Sequence, residues 1–158
     1  MKRRGPARKG AVDEKARPAA GVYRKIVVAT DGSQGSARAV ETAVELAKNS
    51  AAKLLAVCLA RVNEYALLES EGVDPQAEER CEVALSAATR IAQAAGVEIH
   101  IERVRGHPVD RILAIVEREQ PDLLVVGTRG LSRSKRILMG SVSDAVSKHA
   151  PCAVLVVR

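Results

Sequence analysis

The chain has 158 residues, enough for one domain with a substantial core. Apolar residues make up 47%, yet there is no Phe or Trp and only Tyr23 and Tyr65, so the core must be aliphatic and the stacking platforms used on single-stranded nucleic acid are absent. The net charge of +6 sits in the first 24 residues, which hold eight Lys or Arg against Asp13 and Glu14, while the remainder balances 17 basic against 17 acidic groups.

Residues 1–22 are rich in Gly, Pro and charge, and read as a disordered basic tail ahead of a folded unit over residues 23–158. The tail has no apolar core of a signal peptide, and its two acids and lack of Ser argue against a mitochondrial-type leader. No stretch approaches the length of a membrane span, so a cytoplasmic location without membrane contact is expected. Nucleic acid enters as a partner only through the tail.

A first strand, Lys25 to Thr30, ends in Asp31-Gly32-Ser33. A helix follows with Ala37, Val40, Val44 and Ala47 on one face, capped by Ser33 or Asp31. Lys53 to Leu59 is a second strand, and residues 60–75 read as a loop. A long helix over Gln76 to Ala95 carries Ala77, Cys81, Ala84, Leu85, Ala88, Ile91, Ala92 and Ala95 inward and stops at Gly96. Val97 to Val104 alternates in polarity, as an edge strand does. Pro108 opens a third helix with Val109, Ile112, Leu113 and Val116 inward. Leu123 to Val126 is a fourth strand, residues 141–149 a fourth helix stopped by Pro151, and Ala153 to Val157 a fifth strand. Alternating apolar strands and helices describe an α/β fold, a doubly wound parallel sheet covered on both faces.

Cys58, Cys81 and Cys152 show no CxxC spacing and lie on apolar faces. They read as buried thiols in a reducing compartment. His100, His107 and His149 show no metal-ligand spacing, and no metal site is expected.

The chemistry concentrates in GTRGLSRSKRILMGS, from Gly127 to Ser141. Gly127, Gly130 and Gly140 allow close backbone approach, and the helix beginning at Ser141 offers free N–H groups and a positive dipole end to an anion. Arg129, Arg133, Lys135 and Arg136 add charge, and no Asp or Glu stands between Asp122 and Asp144. The segment is neither a Walker A loop nor a GxGxxG fingerprint. Two readings of Asp31 stand side by side, a ligand contact and a turn or cap residue. The same holds for Ser141 and Ser143.

These motifs, KIVVATDGS, GHPVDRI and G-x2-G-x9-G-S, resemble the universal stress protein family over roughly residues 24–158. The resemblance implies the adenine nucleotide alpha hydrolase-like fold, with five parallel strands in the order 3-2-1-4-5, and it implies ATP, with or without Mg²⁺, as ligand. By that resemblance Asp31 meets the ribose, Ala29 and Thr30 line the same strand end, and Val57 at the end of the second strand offers its backbone to adenine. Val126 and Gly127 lie under the ribose and α-phosphate, and Gly130, Gly140, Ser141, Val142 and Ser143 contact phosphate. It further implies a homodimer through the apolar edge strand Ala153 to Val157. The expected function is that of an ATP-binding stress-response regulator, a nucleotide-occupied switch with little or no hydrolysis and no catalytic residue. The alternatives are a slow ATPase on the same fold and a nucleic-acid-associated protein acting through its tail.

Overall fold

The computed structural model describes residues 23–60, 75–128 and 139–158. The expected tail, the 61–74 part of the expected loop, Gly130 and the four basic side chains at 129–136 lie outside the described residues. Elements follow in the order β1 (Lys25–Thr30), α1 (Gln34–Ser50), β2 (Lys53–Ala60), α2 (Pro75–Ala95), β3 (Ile99–Arg105), α3 (Pro108–Glu119), β4 (Leu123–Gly127), α4 (Ser141–His149) and β5 (Ala153–Val157). All five strands are parallel, in the order β3-β2-β1-β4-β5.

Side chains alternate between two apolar layers, as the period-2 geometry of strands requires. Ile26, Val28, Leu54, Ala56, Leu123 and Val125 face α1 and α2. Val27, Ala29, Leu55, Val57, Leu124 and Val126 face the opposite layer, where α3 contributes Ile112, Ile115 and Val116 and α4 contributes Val146. The inner strands therefore read as unbroken apolar runs. β3, at the edge, keeps a wet side: Ile101 is 52% exposed.

The helices depart from expectation in detail. Ala37 is exposed, and α1 turns Ser36, Ala39, Val40, Ala43, Val44 and Ala47 inward. Ser36 takes that inward place because its hydroxyl has partners there, Thr30 Oγ1 at 2.9 Å and the Ser33 carbonyl at 2.9 Å. In α3, Ile115 is buried while Val109 and Leu113 are only half-buried.

The cysteines require a correction. Cys58 of β2 and Cys81 of α2 are not separate thiols but a disulfide, with Cα atoms 5.4 Å apart. That spacing lies within the disulfide range. The crossover from β2 into α2 lays both residues in the same sheet–helix layer, which their separation of 23 residues conceals. Cys152 is free and half-buried, and burial pushes its thiol up.

The amino ends of the strands are held electrostatically. Asp122 accepts the backbone N–H groups of Arg24 at 2.7 Å and Lys25 at 2.9 Å. Lys25 Nζ donates to Glu119 at 2.6 Å, and Arg118 bonds both Glu119 and Glu102. The Lys25 hydrogen bond, then that of Arg118, holds the Glu119 carboxyl below the usual carboxylate range.

Two expectations follow from this packing. Folded Glu119 has a lower pKa than it has in the unfolded chain, so its contribution is present above the ordinary carboxylate pKa and is lost as pH falls through the folded value. Glu119→Gln should thus lower the melting temperature near neutrality and flatten the acid decline, in melts recorded between about pH 7 and about pH 3. A Cβ on Gly127 would lie 2.8 Å from the Gly35 carbonyl oxygen and 2.9 Å from its carbon, both backbone. Gly127→Ala should cost about 1–3 kcal/mol in denaturant unfolding, as overpacking does.

Candidate functional site

The winding of the sheet reverses between β1 and β4: the chain runs from β1 outward to β2 and β3, then returns to β4 and on to β5. In open parallel sheets the crevice outside the carboxyl ends at such a switch point is where ligands bind. Ala29 is the register partner of both Val57 and Val126, so these three candidates form one row across β2, β1 and β4. Their side chains belong to the core layer under α3 and α4.

At the end of β1, Thr30 is 3% exposed. Its hydroxyl lies against Ser36 Oγ and accepts the Gly32 N–H at 3.2 Å. Asp31 is half-exposed, and its Oδ1 accepts the Ser33 N–H at 3.0 Å. Ser33 in turn caps α1 by accepting from the Ser36 N–H at 3.3 Å. The turn between strand and helix is thus closed by its own hydroxyls and carboxylate. Gly32 at φ +79 supplies the left-handed conformation that the turn needs. Asp31 thus has a local role in this turn, at the carboxyl end of β1.

At the end of β4, the Thr128 N–H donates to the Val157 carbonyl at 2.8 Å, and the Gly140 N–H donates to the Thr128 carbonyl at 2.7 Å. Gly140 rather than Ser141 is the cap residue of α4, with φ −71 and ψ 155. The backbone of Gly140 is extended and suits any residue. Ser141 is exposed in the first turn and Val142 half-buried. Ser143 is 3% exposed, with its hydroxyl against the Thr128 carbonyl at 3.1 Å and the Gly140 carbonyl at 2.9 Å. That hydroxyl pins the helix start to the strand end. The first backbone bond onto Gly140 comes from Asp144 at 2.9 Å, so the N–H groups of Ser141, Val142 and Ser143 precede the helical ladder and carry the positive end of its dipole. Helix starts of this kind attract anions.

Val57 is not at the end of its strand. β2 continues to Ala60, so the backbone at the carboxyl end is that of Leu59 and Ala60. An apolar run gives no sign of where its last ladder bond falls, and the strand reaches that far because β3 pairs with it through Ala60↔Arg105. Sequence reasoning also missed a crevice of about 390 Å³ between α1 and α2. Thr30, Gly32 and Ser33 line it together with Val40, Arg80 and Val83, on the side of the sheet away from α4. Among the described residues no cluster of His, Cys, Asp or Glu could hold a metal ion, and no helix is long and apolar enough to cross a membrane.

Comparison with known proteins agrees with this architecture. The pattern of the Universal stress protein family matches residues 22–158. The universal stress protein MJ0531 of Methanocaldococcus jannaschii is 37% identical over 141 residues, covering 87% of this chain and 83% of that protein. A universal stress protein solved in complex with cAMP superposes with a TM-score of 0.69 at 32% identity, covering 87% of this chain and 98% of that one. The universal stress protein family member At3g01520 of Arabidopsis thaliana, solved with AMP bound, gives 0.64 at 26% identity, with 85% and 90% covered. The sheet order and the layering are those of the adenine nucleotide alpha hydrolase-like fold. With a family match over residues 22–158 and a relative of this similarity, the chain belongs to the universal stress protein family.

Proposed function

We propose that this protein binds an adenine nucleotide, ATP, at the β1–β4 switch point and acts as a nucleotide-occupied regulator in a stress response, with slow hydrolysis or none. The observation that carries the reading is the start of α4, bonded through Gly140 and Ser143 to the end of β4. It places three helix-end N–H groups beside the strand carrying Gly127. The triphosphate lies along this segment, in a stretch of sequence that also carries Gly130, Arg129, Arg133, Lys135 and Arg136, and Asp31 takes the ribose hydroxyls. The cAMP and AMP bound by the two similar structures support an adenine nucleotide as the ligand class. The third phosphate is inferred from the intact G-x2-G-x9-G-S spacing.

Hydrolysis needs a group to position water and usually a carboxylate-held Mg²⁺. No acid stands between Asp122 and Asp144 in the sequence. Asp122 is occupied at the opposite end of the strands by two backbone N–H groups, and Asp144 is paired with Lys148 at 2.7 Å. Asp31 lies at the ribose end in this pose. The residues at hand hold a nucleotide better than they cleave it.

Gly140→Val tests the site, since the φ and ψ of Gly140 accept a side chain without strain. ATP affinity measured by calorimetry should fall by about tenfold or more, roughly 1.4 kcal/mol, with the melting curve of the unliganded protein little changed. Unaltered affinity would place the nucleotide elsewhere. Phosphate release should stay far below the roughly 1–10³ s⁻¹ of ordinary enzymes; turnover in that range, abolished by Gly140→Val, would make the protein an ATPase.

The proposal includes a homodimer. β5 ends the sheet, and Val154 to Val157 remain only half-buried. An apolar edge of this kind pairs readily with a second copy about a two-fold axis. Light scattering at micromolar concentration should give twice the chain mass, and a monomer mass would remove this part of the proposal.

A further inference from the structure

We propose that Cys58 and Cys81 are a reversible thiol–disulfide pair whose oxidation fixes the start of α2 against β2, and through α2 sets the wall of the nucleotide site beside Thr30–Ser33. The coupling to nucleotide rests on the binding site proposed above. The redox step does not.

Three observations meet at this pair. Cys58 is the register partner of Thr30, the last residue of β1 before Asp31, so the bond lies in the last row of the β1–β2 ladder, two residues before β2 ends. Cys81 sits in the second turn of α2. Before Leu85 that helix buries only Ala77 and Cys81, and an alanine methyl removes little surface from water. Glu78 adds ion pairs to Arg103 and Arg105, but those arginine side chains are 45% and 57% exposed and the pairs are screened by solvent. The covalent bond ties the second turn of α2 to β2, beside the ion pairs of Glu78 and the engaged residues Gln76 and Arg80. Finally, the first two turns of α2 abut the β1–α1 turn: a Cβ on Gly32 would lie 3.4 Å from the Arg80 carbonyl oxygen. Gln76, Glu79, Arg80 and Val83 also wall the crevice that Thr30, Gly32 and Ser33 line.

The co-reactant is a small disulfide of the glutathione class. One protein thiolate attacks a sulfur of oxidised glutathione, forming a mixed disulfide and releasing a glutathione thiolate that takes up a proton. The second protein thiolate displaces the other glutathione and closes the Cys58–Cys81 bond. Two protein thiols are oxidised, and one glutathione disulfide is reduced to two glutathione thiols. Both cysteines are essentially without solvent exposure, so exchange passes through opening of the start of α2, a local event of the kind that weakly packed helix ends undergo. Cys152 lies in the opposite layer, and burial raises its thiol pKa. The other two cysteines both lie in the first layer, so Cys152 has no partner there with which to close a second bond.

The full chain, equilibrated in buffers of reduced and oxidised glutathione, quenched in acid and alkylated in denaturant, should move between three and one alkylated thiols, as follows from three cysteines of which Cys152 is free. Cys81→Ala should show no such transition. In the same samples, amide exchange over residues 75–84 should be faster in the reduced form, and ATP affinity should be weaker by about fivefold or more. Three alkylated thiols at every ratio would overturn the proposal, as would a disulfide that forms without protecting residues 75–84. A redox transition with protection but equal ATP affinity in both states would overturn the coupling. The same transition with no ATP binding in either state would support the tie and remove the nucleotide reading instead.

Discussion

β1 is covered on both faces and paired on both edges, and that constraint organises the protein. A strand in this position has no access to water along its length, so its backbone groups must bond to neighbouring strands. β2 and β4 supply those bonds through registers that agree at Ala29. Polar chemistry is thereby pushed to the two ends of the strand. At the amino end, Asp122 receives the backbone of Arg24 and Lys25. At the carboxyl end, Thr30, Asp31 and Ser33 close the turn into α1. Among the described residues no buried side-chain nitrogen or oxygen lacks a partner, which is what a sheet buried on both faces requires.

The close approach of α1 to β4 is the second consequence. Gly127 meets the backbone of Gly35 without any side chain between them. The first glycine of the loop motif therefore has a packing duty before it has a ligand duty. The glycine at position 140 differs: its backbone is extended, and its N–H closes onto Thr128. Glycines of one motif serve distinct physical ends, close packing at one position and room for a ligand at another.

Much of this was legible in the sequence because the strands are continuous and apolar and the helices carry their period clearly. β1, α4 and β5 fall where the residues place them. The strand order rests on the switch-point argument joined to the family resemblance. What escaped was tertiary in origin. Ser36 replaces Ala37 in the core because of hydroxyl partners contributed by β1 and the turn. The extension of β2 to Ala60 depends on pairing with β3. The Cys58–Cys81 bond joins residues brought together by a crossover, and an odd cysteine count with no short spacing points away from it. At the site, the positions of Asp31 and of the α4 start were readable, whereas the engagement of Thr30 and Ser143 in closing turns was not.

The bond from Gly140 to Thr128 separates two properties that loops usually confound. Because the chain returns to its point of departure, α4 is seated by the strand-end contacts of the Gly140 N–H and the Ser143 hydroxyl together with Val146 in the core layer. A connection of another length between Thr128 and Gly140 would keep these contacts available, since the entropic cost of closing a loop grows only slowly with its length. The fold thus holds an exchangeable cassette on a fixed frame. Grafting a different segment between Thr128 and Gly140 would retune which anion is gripped while the helix end that grips it stays in place.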